Sequence, residues 1–135
     1  FMAKEISEEP EAVAKTILGR VHDGAVTLTD LDPIAERLQQ VDRVIVIACG
    51  TAAYAGTLGK YAIEQWARVP VEVELAHEFR YRDPVLDERT LVVSISQSGE
   101  TMDTLMAVKY AREQGAQVLS ICNTQGATIP RESDA

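Results

Sequence analysis

An unbroken apolar run, Val44-Ile45-Val46-Ile47-Ala48, constrains the fold more than any other feature of this chain. Four of its five residues are β-branched, which is typical of a strand buried on both faces of a parallel sheet. The segment after it, as far as Arg68, has apolar residues three and four positions apart. This spacing predicts a helix that packs on the sheet through Ala55, Leu58, Ala62 and Trp66.

Strand and helix patterns then alternate along the rest of the chain. Residues 71–75 alternate between apolar and acidic, which favours an edge strand, and residues 91–96 and 117–122 form further strands on either side of a helix over residues 101–114. The alternation predicts right-handed crossovers and an α/β fold, a three-layer α/β/α sandwich around a parallel sheet. In the flavodoxin-like strand order 2-1-3-4-5, the first and third strands are neighbours where ligands bind.

The first 40 residues follow a different pattern. An amphipathic helix is predicted over residues 7–21, because one helical face carries Val13, Ile17, Leu18 and Val21. A loop at Asp23-Gly24 then leads to a second helix over residues 29–40. We therefore divide the chain into an N-terminal helical segment, residues 1–40, and an α/β part, residues 41–135, which looks truncated at its C-terminus.

Two strands of the predicted sheet end in small polar residues. The strand over residues 91–96 runs into Ser96-Gln97-Ser98-Gly99-Glu100-Thr101, and the strand over residues 44–48 runs into Cys49-Gly50-Thr51-Ala52. At such turns, unpaired backbone amides and the positive end of a helix dipole stand beside hydroxyl donors, an arrangement that suits phosphate. Because these are the first and third strands, both turns should face one crevice. The sequence thus predicts a site for a phosphorylated small molecule.

Charge and cysteine content argue against several other functions. With 21 acidic and 13 basic residues the formal charge is −8, which disfavours binding to nucleic acid and to acidic membrane surfaces. Cys49 and Cys122 have neither disulfide-framework nor zinc-ligand spacing, so we predict a reduced, cytoplasmic protein without a metal. No signal peptide, long apolar run or nucleotide-binding glycine motif is present, and we expect no membrane segment and no cofactor.

Two other interpretations of the hydroxyl-rich turn remain open. Ser98 has the position of a hydrolase nucleophile, although that elbow motif needs glycine where Ser96 stands, and both histidines precede it in the chain. On a purely structural interpretation, the serines and Thr101 only cap the following helix. Three hydroxyls and a glutamine exceed what a cap needs, which favours ligand binding.

Several motifs together resemble a known family. The chain opens with Phe-Met-x-Lys-Glu-Ile-x-Glu-x-Pro at residues 1–10, and it has Cys-Gly-Thr at 49–51, Glu-Phe-Arg-Tyr-Arg at 78–82 and Ser-Gln-Ser-Gly-Glu-Thr at 96–101. These motifs are similar to the first half of the isomerase domain of the glutamine:fructose-6-phosphate amidotransferases, which make glucosamine 6-phosphate. The resemblance covers essentially the whole chain and implies a sugar isomerase (SIS) fold.

The resemblance also implies a ligand and the residues that bind it. The chain is expected to hold the phosphate of fructose 6-phosphate or glucosamine 6-phosphate, within an enzyme that converts fructose 6-phosphate and glutamine to glucosamine 6-phosphate and glutamate. The implied binding residues are Cys49, Gly50, Thr51, Ala52, Ser96, Gln97, Ser98, Gly99 and Thr101. Many members have serine where this chain has Ala52, so at that position we expect a backbone contact only.

The same resemblance implies that the catalytic residues lie elsewhere. In the family, a ring-opening lysine, a proton-transferring glutamate and an assisting histidine belong to the second isomerase half and the C-terminal tail, and glutamine is hydrolysed in a separate domain. We therefore expect this chain to bind without catalysing, to form a homodimer, and to have those missing parts as partners. A noncatalytic phosphosugar sensor of the SIS type and another SIS phosphosugar isomerase remain as alternatives.

Overall fold

The computed structural model describes residues 1–135, which form two compact units, Phe1–Asp32 and Pro33–Ala135. This boundary differs from the division at residue 40 that we predicted. The predicted second helix is a 3-10 helix, Thr29–Ile34, followed by a short α-helix, α2, Ala35–Leu38. Ile34 is buried and Leu38 packs against the sheet of the second unit, which is why this stretch belongs mostly to that unit.

The first unit contains one helix and a small hairpin. Helix α1, Met2–Ile17, starts and ends earlier than the predicted 7–21, and none of its residues is buried. The segment predicted as a loop is a hairpin of β1, Val21–His22, and β2, Ala25–Val26. Asp23 and Gly24 turn the chain with φ of 50° and 78°, the pair of positive values that a tight two-residue hairpin needs.

The second unit is built on a parallel sheet of four strands. They are β3, Arg43–Ala48; β4, Val71–Leu75; β5, Thr90–Ser96; and β6, Gln117–Cys122. Their order, β4-β3-β5-β6, confirms the predicted placement of the first strand beside the third, with Ala48 paired to Ile95 at the carboxyl ends. The helices between and after the strands are α3, Thr51–Trp66; α4, Ala76–Phe79; α5, Met102–Glu113; and α6, Thr128–Arg131.

Apolar side chains cover both faces of this sheet, which confirms the three-layer α/β/α architecture. On one face, Ile45 and Val92 pack with residues of α4, α5 and α6, among them Phe79, Val108 and Ile129. On the other face, Val46 and Val93 pack with Leu38 of α2 and Ile63 of α3. The central strands are therefore buried on both sides, as their β-branched composition predicts.

The face through which α3 packs was predicted wrongly. Leu58 and Trp66 are 72% and 80% exposed, whereas Ala53 and Gly56 are the buried residues of this helix. A β-carbon at Gly56 would lie 2.7 Å from Cγ1 of Val46, so the helix backbone approaches the sheet too closely for a larger side chain. Helix α3 therefore contacts the sheet at the small residue Gly56 and through Ile63, and not through Leu58 or Trp66.

Candidate functional site

The two polar turns meet at the carboxyl edge of β3 and β5, around a cleft of about 250 Å³. Seven of the nine residues predicted for the site line this cleft: Cys49, Thr51, Ala52, Ser96, Gln97, Ser98 and Thr101. Ile95 and Thr104 line it too and were missed by the sequence analysis. The turn over residues 96–101, hereafter the serine turn, thus faces the start of α3 across one crevice.

The two predicted glycines, Gly50 and Gly99, do not line the cleft but shape its walls. Gly50 precedes the first residue of α3 with a φ of 60° and turns the chain from strand into helix. Gly99 has a φ of 66°, and a β-carbon there would lie 2.5 Å from Cβ of Ala127 and 2.6 Å from Sγ of Cys122. Both positions are in the left-handed region that favours glycine.

The hydroxyls of the serine turn are arranged to leave donors for a ligand. The buried Oγ of Ser96 accepts a hydrogen bond from the amide of Gly99 at 3.0 Å, and Oγ of Ser98 accepts one from the amide of Glu100 at 3.2 Å. A hydroxyl that accepts still has its own O–H to donate. Thr101 stands at the N-cap of α5, but its side chain makes no capping bond. The capping interpretation is therefore wrong for Thr101.

Two helix N-termini add to the positive character of the cleft. Helices α3 and α5 both begin there, and neither has a side-chain cap. Their first backbone amides lack intrahelical partners, and each helix dipole places a partial positive charge at this end. The lining residues include no lysine, arginine, aspartate or glutamate. The cleft is thus a neutral site that presents donors, which is suited to an anion.

Thr104 links the two sides of the cleft. It is 1% exposed, and its Oγ1 lies 3.7 Å from Sγ of Cys49 at the end of β3. Thr104 follows Thr101 by one helical turn, so a helix-face argument from Thr101 could have identified it. Cys49 is half-buried and engaged in this contact, in keeping with a structural thiol.

Other chemistry finds no support at this cleft. No histidine lines it, so Ser98 has no base of the kind that a hydrolase needs. No group of three or more potential His, Cys, Asp or Glu ligands is placed to hold a metal ion.

A larger cleft, about 420 Å³, lies beside Arg112, but that guanidinium already bonds the carbonyl of Glu132 and the carboxylate of Asp134. No helix has the length and apolar character needed to cross a bilayer.

Comparison with known proteins gives consistent matches. The SIS domain family model matches residues 37–135. The chain is 68% identical over 136 residues to a glutamine–fructose-6-phosphate aminotransferase (isomerizing) of Leifsonia xyli subsp. xyli, and 67% identical over 138 residues to the one of Streptomyces coelicolor. All of this chain is covered, but it spans only 22% of each of those relatives.

A solved structure agrees closely with the fold. It is the C-terminal domain of glucosamine-fructose-6-phosphate aminotransferase from Francisella tularensis, with a TM-score of 0.91 and 45% sequence identity. The match covers 98% of this chain and 37% of that one.

Proposed function

The chain belongs to the SIS domain family, and from that premise we propose that it forms the phosphate-binding part of the fructose 6-phosphate site in a glutamine–fructose-6-phosphate aminotransferase. The product glucosamine 6-phosphate has the same phosphate and would occupy the same cleft. The proposal rests on relatives of that name, which are 68% and 67% identical to this chain. It assigns their activity to the longer protein to which this chain would belong.

One observation supports this function above the others: the serine turn and the turn after β3 converge on a single neutral cleft. Hydroxyls of Ser96, Ser98 and Thr101 would donate to phosphate oxygens, together with the amides at the starts of α3 and α5. Thr51 and the side-chain amide of Gln97 would complete the set. At Ala52, only the backbone is available.

Calorimetric titration of the chain with fructose 6-phosphate tests this proposal directly. Binding should require the phosphate, so fructose is the ligand control. The double variant Ser96→Ala, Ser98→Ala loses two hydrogen bonds to a charged acceptor, each worth about 1.5–3 kcal/mol, and should bind at least about 100-fold more weakly. A matched double variant, Ser7→Ala, Thr16→Ala, removes two hydroxyls that bond carbonyls of α1 and should bind like the wild type. Equal binding of fructose, or undiminished binding by the double serine variant, would contradict the proposal.

The remaining parts of the proposal concern the whole protein. Ring opening, proton transfer and glutamine hydrolysis would be carried out outside this chain, by a second SIS subdomain, a C-terminal tail and a glutaminase domain.

We also propose a homodimer in the cytoplasm, without nucleic acid. Exposed apolar residues in line on α3, Tyr54, Leu58 and Tyr61, support an interface, and two unpaired cysteines are compatible with a reducing compartment. Light scattering of the chain would test the dimer, which a concentration-independent monomer would contradict.

A further inference from the structure

The serine turn is held from behind by residues 124–131, hereafter the backing segment, none of which lines the cleft. Oγ1 of Thr124 donates to the carbonyl of Gln97 at 3.1 Å, and the amide of Ile129 donates to the carbonyl of Gly99 at 2.9 Å. In a trans peptide unit the C=O and the following N–H point in opposite directions. Because the Gln97 carbonyl is fixed against the backing segment, the amide of Ser98 points away from that segment.

Glu100 provides a further side-chain link between the two segments. A carboxylate in a turn that binds phosphate would repel the ligand if it faced the cleft, and Glu100 is absent from the lining. Its Oε1 instead accepts a hydrogen bond from the amide of Thr128 at 2.7 Å. Thr128 is the first residue of α6, whose N-cap residue, Ala127, makes no side-chain cap. Glu100 thus supplies the missing capping acceptor from 28 residues away in sequence.

An arginine completes the arrangement. Nη2 of Arg131 donates to Oγ1 of Thr128 at 3.2 Å. Hydrogen bonding to Thr128 is the main cause that lowers the pKa of Glu100, and the charge of Arg131 lowers that pKa further. Glu100 therefore stays ionised at neutral pH.

We propose that Glu100 is a positioning residue of the phosphate site: its carboxylate, bonded to the amide of Thr128, fixes the backing segment against the serine turn and keeps the donors of that turn aimed into the cleft. The inference rests on the proposed function, since the orientation of the turn matters to a ligand only if the turn binds one. It assigns no contact between Glu100 and the phosphate.

The test compares Glu100→Ala with Glu100→Gln, whose amide oxygen can still accept the bond from Thr128. Each variant is titrated with fructose 6-phosphate, and amide hydrogen exchange of Gly99 and Ile129 is measured by NMR without ligand. Glu100→Ala should bind roughly 2- to 30-fold more weakly, the range that loss of a helix cap produces, and both amides should exchange faster. Glu100→Gln should restore most of the affinity. Glu88→Ala, at an exposed glutamate without an ion pair, is the control.

The outcomes separate this inference from the proposed function. If the wild type binds fructose 6-phosphate and Glu100→Ala binds it equally well, the positioning role is overturned. If the wild type does not bind, the proposed function of the chain fails, and with it the role of Glu100 in phosphate binding. Hydrogen exchange then tests only whether Glu100 orders the serine turn: faster exchange in Glu100→Ala than in Glu88→Ala supports that ordering, and unchanged exchange overturns it. Should Glu100→Ala not fold, Arg131→Ala can replace it. This variant removes only the donor to the Thr128 hydroxyl and should also weaken fructose 6-phosphate binding.

Discussion

Replacing Gly99 by alanine tests how tightly the serine turn is packed against its surroundings. The structure gives two separate reasons for a loss of stability. The φ of 66° is strained for any L-residue with a side chain. The new β-carbon would also meet Cβ of Ala127 at 2.5 Å and Sγ of Cys122 at 2.6 Å, distances at which something has to shift. Neither neighbour is the far end of a flexible side chain.

The size of the effect follows from these two parts. Left-handed strain costs roughly 1–2 kcal/mol for a residue with a β-carbon, and overpacking of a close-packed interior costs roughly 1–3 kcal/mol. Alanine also restricts the unfolded chain, which offsets about 0.4–1 kcal/mol. We therefore expect Gly99→Ala to lower the free energy of unfolding by about 1–4.6 kcal/mol, short of the 5–15 kcal/mol that a typical domain has.

Urea denaturation followed by circular dichroism measures this loss, and the chain offers a matched control. Gly115 has a φ of 89° with no atom within 4 Å of its would-be β-carbon, so Gly115→Ala carries the strain without the clash. Gly99→Ala should then be the less stable variant by about 1–3 kcal/mol. Equal midpoints and slopes for the two variants would refute the packing argument.

Three further predictions use the same measurements. Gly56→Ala should lower the free energy of unfolding in urea by about 1–3 kcal/mol, because its β-carbon would lie 2.7 Å from Cγ1 of Val46. The control Gly59→Ala, whose β-carbon meets nothing within 4 Å, should not be destabilised. A Gly59→Ala variant less stable than Gly56→Ala would contradict the packing of α3. Ala52→Ser should tighten fructose 6-phosphate binding about 13- to 160-fold in calorimetry, because its hydroxyl would bond a charged acceptor, and unchanged affinity would place the phosphate out of reach of position 52. The pKa of folded Glu100 is lowered from its ordinary 4.5, so its stabilising effect is complete above that pH and is lost as pH falls through the folded pKa. Glu100→Gln should therefore lose less stability than the wild type between pH 7 and pH 3, measured by urea denaturation. An identical pH dependence of the two proteins would contradict this prediction.

The sheet could be predicted because its signals are local and strong. Residues 44–48 carry one continuous apolar run, which identifies a central strand without reference to the rest of the chain. The period-two pattern of residues 71–75 indicates an edge strand, and β4 is indeed at the edge. Because parallel crossovers limit the possible strand orders, the convergence of the turns after β3 and β5 also followed from the sequence.

The packing face of α3 could not be found from apolar periodicity alone. Periodicity gives most weight to large side chains, and Leu58 and Trp66 are large but exposed. The helix instead approaches the sheet closely at Gly56, whose small size permits this, and Ile63 packs against the sheet as well. Glycine carries little weight in a hydrophobic pattern, so this contact is visible only once the helix has been placed on the strand.

Other features were missed because they depend on long-range or very short-range structure. The hairpin of β1 and β2 has two residues in each strand, too few for a periodic signal, and only the Asp23-Gly24 pair could have indicated it. Glu100 and Thr128 are 28 residues apart, and nothing in either local sequence indicates that they meet. Thr104 was missed although its spacing from Thr101 was available.

The candidate site is a neutral cleft in an acidic chain, and this bears on which residues determine the affinity for phosphate. The formal charge of −8 repels a phosphate, but at physiological ionic strength such repulsion is screened beyond about 8 Å. Affinity on the proposed function must therefore come from short hydrogen bonds, each worth about 1.5–3 kcal/mol to a charged acceptor. Loss of a single hydroxyl removes one such bond, whereas a shift of the serine turn misaligns every donor that the turn presents. Residues that never touch the ligand, Gly99 and Glu100 among them, should then influence phosphate binding alongside Ser96 and Ser98.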